Sequence, residues 1–85
     1  MIHQMFVVHD SAAAAYLNPY CQWSDATALR QFTEMVNDPN HPFSKTPQDY
    51  TVFKIGQYDD ETAEVKTLQA YEKLANGIEV RTHDA

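Results

Sequence analysis

Residues 37–62 read NDPNHPFSKTPQDYTVFKIGQYDDET, and the segment changes character half-way along its length. Asn37 to Asp49 has no hydrophobic period, and Pro39, Pro42 and Pro47 stiffen it into a long ordered connection. Phe43 is the one large apolar side chain there and is expected to pin the loop to the body. Tyr50 to Tyr58 then alternates as a strand does, and Thr62 to Leu68 is its expected partner across the polar turn Asp59-Asp60-Glu61-Thr62.

On the N-terminal side of this segment lies a helix. Ser24 is a good N-cap, Asp25 suits the positive end of a helix dipole, and Ala28, Leu29, Phe32 and Val36 follow at helical spacing. Asp38-Pro39 stops it near Asn37, because the residue before a proline avoids helical angles. Arg30, Gln31 and Glu34 should then face water.

Further upstream, Ile2 to His9 contains Phe6, Val7 and Val8, a β-branched and aromatic run that reads as a central strand with both faces at least partly covered. Asp10-Ser11 supplies turn chemistry, and Ala15 to Tyr20 reads as a second strand closed by Asn18-Pro19. A helix starting in the alanine tract is the competing reading. The hairpin is favoured because Tyr16, Leu17 and Tyr20 do not continue a helical stripe and Pro19 removes a backbone donor.

Beyond the second hairpin, Ala70 to Asn76 can make about two helical turns ending at Gly77. Ile78 to Ala85 is expected to be an edge segment that frays. The expectation is therefore an α+β fold in the order β-β-α-β-β with a short C-terminal helix. An antiparallel sheet of about four strands, two hairpins, carries one main helix on one face. Residues 1–77 form the domain and 78–85 a tail.

Eighty-five residues allow one domain and one core, and dimerisation would help the stability of so small a body. The single Cys21 cannot form an internal disulfide, which points to a reducing cytoplasm. The apolar run Met5 to Val8 is too short for a signal peptide, and no stretch approaches a membrane span. Twelve acidic residues against six basic ones give a net charge of −6, which opposes binding driven by phosphate neutralisation.

Catalytic and metal signatures are missing from the pattern. His3 and His9 lie six apart on a strand while His41 and His83 sit in a loop and a tail, so no pair has zinc-like spacing, and Cys21 has no second sulfur nearby. The acidic turn lacks the alternating ligands and glycine bend of a calcium loop. With only Gly56 and Gly77, the chain has neither a phosphate loop nor a nucleophile elbow. No enzyme, no cofactor and no metal is expected. The ten aromatic residues are a surplus: Tyr16, Tyr20, Trp23, Phe43, Tyr50 and Tyr58 are not obviously needed against the helix. They could stack on single-stranded nucleic acid, fill and rim the core, or form a dimer or partner interface.

An ordered series of positions carries a family resemblance: Val8-His9-Asp10-Ser11, Ala15-Tyr16-Leu17-Asn18-Pro19, Ala28-Leu29-Arg30 with Phe32, Val36-Asn37-Asp38-Pro39 with His41-Pro42-Phe43, Pro47-Gln48-Asp49-Tyr50-Thr51, and Ile55-Gly56-Gln57-Tyr58-Asp59-Asp60 with Thr62. Over about Val8 to Leu68 the chain resembles the small non-structural protein of the gokushovirus branch of the Microviridae, phages with circular single-stranded DNA genomes. One departure matters physically: that family tends to carry Gly after the turn threonine, where a left-handed residue lets the strands pair through a bulge, and here Ala63 stands there; the C-terminal segment is the least family-like.

The resemblance implies a non-catalytic phage protein of the host bacterial cytoplasm, a single-stranded-DNA-binding factor acting in viral single-strand synthesis or its coupling to genome packaging. A homodimer is expected. For direct DNA contact, Trp23, Phe43, Lys45, Tyr50, Lys54 and Lys66 are the candidates for stacking and phosphate binding. The alternative is a protein-interaction module that regulates the phage replication initiator or a host replication factor without holding DNA. Net negative charge suits that reading, because an acidic domain approaches basic DNA-binding proteins more easily than DNA. A role in assembly, with coat protein as partner, is the third reading.

Overall fold

Phe6, Val7 and Val8 form the middle of strand β1 (Ile2–Asp10), which is central: β2 (Ala15–Tyr16) and β3 (Tyr20–Gln22) pair with one of its sides and β4 (Tyr50–Asp59) with the other. Strand β5 (Glu64–Asn76) pairs with β4 and closes the order β2-β1-β4-β5, with every pairing antiparallel. Helix α1 (Asp25–Asn37) covers one face, and a single-turn helix α2 (Gly77–Val80) follows β5. The computed structural model describes residues 1–82.

The fold class is the one expected, with five strands because the second strand is split. Pairing with β1 lapses at Asn18-Pro19 and resumes at Tyr20, as a proline without a donor requires. The alanine tract is the turn of this hairpin: the Asp10 carboxylate accepts from the N–H groups of Ala12 and Ala13, and Ala14 adopts φ 54°.

In α1, the Ser24 hydroxyl accepts from the Thr27 N–H, and Ala28, Phe32 and Val36 are buried while Arg30, Gln31 and Glu34 are exposed. These side chains meet Phe6 and Val8 of β1, Val52 of β4 and Ala75 of β5 in one core. The proline-rich connection adds Phe43 and Pro47 from two short 3-10 turns, Pro42–Ser44 and Pro47–Asp49. Phe43 is the expected anchor, 7% exposed and 5.9 Å from the Phe32 ring.

The second hairpin turns where expected. The Ala63 N–H donates to the Asp59 carbonyl at 2.8 Å, and Ala63 has φ 63°, the left-handed geometry that glycine adopts without strain. Ala63→Gly should therefore raise stability by up to about 1 kcal/mol, net of glycine's larger unfolded-state entropy, read as a higher urea midpoint at unchanged slope.

The region after this hairpin corrects the sequence reading. Ala70 to Asn76 is not helical but the second half of β5, and Gly77 begins a helix rather than ending one. A β-carbon on Gly77 would run into the Pro47 carbonyl, so glycine is required there by close packing and not by a left-handed backbone. The segment from Ile78 is likewise no fraying edge: Val80 packs on the core, and Asn37 bonds both the Val80 carbonyl and the Thr82 N–H. The expectation for residues 83–85 lies outside the described residues.

Helix α2 is capped reciprocally. Asn76 Oδ1 accepts from the Ile78 N–H, and Glu79 Oε1 accepts from the Asn76 N–H at 2.6 Å. That hydrogen bond, with Lys73 Nζ at 3.1 Å, holds the Glu79 carboxyl below its ordinary 4.5. A depressed acid contributes stability that is complete above its ordinary pKa and is lost as pH falls through the lowered one. The Ile78 amide resonance should accordingly titrate with a midpoint below 4.5, and Glu79→Gln should abolish that titration.

Candidate functional site: the uncovered face of the sheet

Strand alternation assigns the two faces. Gln4, Phe6 and Val8 look toward α1, and so do Val52 and Lys54 of β4. The intervening His3, Met5, Val7 and His9, with Phe53 and Tyr58 across the ladder, look the other way. No element covers this second face among the described residues. Its side chains are nonetheless apolar and aromatic, which departs from the polar outer face of an ordinary two-layer domain.

Two aromatic groups mark the ends of the face. At one end the His3 ring lies 4.5 Å from Trp23 and 6.1 Å from Tyr58; at the other, Tyr16 lies 4.6 Å from His9 and 6.4 Å from Phe53. Between them is an open hollow of about 280 Å³ lined by Val7, Tyr16, Leu17, Pro19, Ile55 and Tyr71. Val7 forms its floor at 4% exposure, outside the main core, whereas Tyr16 and Tyr71 stand 55% and 50% exposed at its rim.

Irregular pairing builds this hollow. Ile55 lies between the paired positions Lys54 and Gly56 of β4, while on β5 the corresponding partners are Glu72 and Thr67, so residues 68–71 stand opposite Ile55 alone. The extra length carries Tyr71 to the rim. Gly56 is buried beside this bulge, where a β-carbon would run into the Lys66 carbonyl.

The six candidates proposed for DNA contact do not share a surface. Trp23 stacks on His3 on the uncovered face and is 59% exposed. Phe43 and Tyr50 are brought together, ring centroids 4.2 Å apart, but Phe43 is buried and Tyr50 packs against the core. Lys54 lies on the helix side with Nζ 3.3 Å from Asp25 Oδ1. Lys66 pairs with Gln57 in register, is exposed, and has Glu64 3.7 Å away. Lys45 is exposed at the end of the first 3-10 turn.

The uncovered face itself is poor in charge. Lys73 sits opposite Phe53, but its ammonium is paired with Glu79. Strand positions 3, 5, 7 and 9 of β1 and 51, 53 and 58 of β4 hold no carboxylate; Glu79 reaches the face only through Lys73, and Asp60 at the hairpin tip bonds His3 Nε2 at 2.8 Å. The Met1 ammonium and His3 hold the Asp60 carboxyl below its ordinary value. Tyr20 lies on the helix side near Phe6, and burial pushes its phenol up. No group of three potential metal ligands occurs among the described residues, and no helix among them is long and apolar enough to cross a membrane.

Sequence reading picked out Tyr16, Trp23 and Tyr58 from this surface but missed Val7, Phe53, Ile55, Leu17 and Tyr71 as parts of it. A signal was present: β1 and β4 are apolar at both parities, with Phe6 beside Val7 and Val52 beside Phe53, so burying one face leaves the other apolar. Tyr71 had no such signal, because its assignment to a helix hid which way it points. In comparisons with known proteins, the family described as Phage ORF5 protein matches residues 3–80, and neither a curated protein nor a solved structure matches the chain.

Proposed function

From the premise that the chain belongs to the Phage ORF5 protein family, we propose that it is a non-catalytic interaction module that serves single-strand DNA synthesis or packaging by docking to proteins in the host cytoplasm. One observation carries this reading: the aromatic, apolar face of the sheet and the lysines expected to accompany it point in different directions. Stacking on a single strand needs cations along the same groove to meet the phosphates, and a chain of net charge −6 repels the backbone elsewhere. The same features suit a protein partner: the apolar face supplies a desolvated contact, and the acidic remainder attracts basic replication proteins.

Single-strand binding is the second reading, favoured by the aromatic groups His3-Trp23 and His9-Tyr16-Phe53 on one sheet face. Fluorescence anisotropy with single- and double-stranded oligonucleotides across a salt series separates the two. The expected result is no salt-dependent binding at about 10 µM protein, alongside measurable affinity for the purified replication initiator of the phage. Strand-selective binding that falls steeply with salt and is lost on Tyr16→Ala would overturn the protein-docking reading.

A further inference from the structure

We infer that the uncovered sheet face is occupied by a second copy of this chain, giving a symmetric dimer in which two sheets pack face to face between outer helices. The inference rests on the reading of that face as a protein-docking surface and names its occupant. Size is the first argument. Nine residues of β1 at about 3.3 Å each and four strands about 4.8 Å apart give roughly 600 Å² of projected face per protomer, or about 1,200 Å² between two, the lower bound of a stable interface.

Charge is the second argument. A chain of −6 meets its own copy at a cost in repulsion unless the contact excludes carboxylates. The strand positions facing away from α1 hold no carboxylate: β1 offers His3, Met5, Val7 and His9, β4 offers Thr51, Phe53 and Tyr58, and β5 adds Lys73, whose ammonium neutralises Glu79. The acidic side chains Asp25, Glu34 and Glu72 belong to the helix or to a position paired with Lys54, so they remain outward in such a dimer.

The sheet edge offers no equal alternative. The outer strand β5 has register shifts opposite Val52/Phe53 and Lys54/Gly56 and carries Glu64, Lys66, Glu72 and Lys73. Bulges and charges on an edge oppose strand addition. By contrast, Tyr16, Leu17, Pro19 and Tyr71 leave the Val7 hollow open, and an apolar side chain from the facing sheet would fill it.

Sedimentation equilibrium of the full chain, with light scattering over a concentration series, tests the inference. The wild type should weigh twice the chain mass, and Leu17→Glu and Tyr71→Glu, both at exposed positions, should each weaken association at least about tenfold while retaining the wild-type circular dichroism. Ile78→Glu, equally exposed but on α2, should leave the dimer intact. Trp23, the only tryptophan, should shift its emission to the blue as concentration rises, since its ring lies on the same face. A monomer at all concentrations, or a dimer insensitive to both face variants, would overturn the inference. Initiator binding by such a monomer would leave the protein-docking reading standing, whereas single-strand binding lost in Tyr71→Glu would remove that reading too.

Discussion

Phe32→Ala is expected to cost the protein a large share of its folding stability. Phe32 is fully buried, with its ring 5.9 Å from Phe43, and it joins α1 to Phe6, Val8 and Val52 of the sheet and to the proline-rich connection. Removing a buried phenylalanine costs about 3–5 kcal/mol through lost transfer energy and the cavity left behind. A domain of this length has a total stability of roughly 4–13 kcal/mol, so one side chain accounts for about a quarter of it at the least. Urea unfolding followed by far-ultraviolet circular dichroism measures the loss. Glu34→Ala, on the exposed side of the same helix, should change the midpoint by no more than about 0.5 kcal/mol equivalent. A small effect of Phe32→Ala would mean that α1 does not seat on the sheet through this side chain.

Gly56→Ala is expected to be strongly damaging for a single added carbon. The new methyl would meet the Lys66 carbonyl and crowd the Thr67 backbone, and neither is a flexible chain end that can swing away. Overpacking of this kind costs about 1–3 kcal/mol, and the upper end applies where backbone must move. The loss should appear as a lower melting temperature. It should also appear as faster hydrogen exchange in the paired segments 56–59 and 64–67, because relief of the clash separates β5 from β4 there. Unchanged exchange in the hairpin would show that the strands can re-register around the methyl.

How much of this could be read from the residues divides along physical lines. Helix α1 was fully legible because its cap, apolar spacing and stop signal are local and agree. The proline-rich connection and its Phe43 anchor were legible for the same reason. The C-terminal third was not. Tyr71-Glu72-Lys73-Leu74 has no strand-like alternation, and Gly77 carries the usual signal of a helix end, yet tertiary pairing with β4 extends the strand to Asn76, and packing against Pro47 fixes the glycine. The uncovered face was half legible. Its aromatic members stood out by type, but their alignment depends on the irregular pairing opposite Ile55 and the bulge at Leu74, which no residue pattern announced. Lys54 and Lys66 fall close to aromatic residues in the sequence, but strand parity turns them away from the face that carries Trp23.

The pairing of β1 with β4 also governs how the chain can be made. Ile2 aligns with Asp59 and Asp10 with Tyr50, so the central strand leaves the ribosome roughly 40 residues before its neighbour does, an interval of about 2–8 s at 5–20 residues per second. During that time Phe6, Val7 and Val8 have only the short β2 and β3 segments to pair with. Translation pace, and the chaperones waiting at the tunnel exit, therefore belong among the determinants of how much native protein an infected cell obtains.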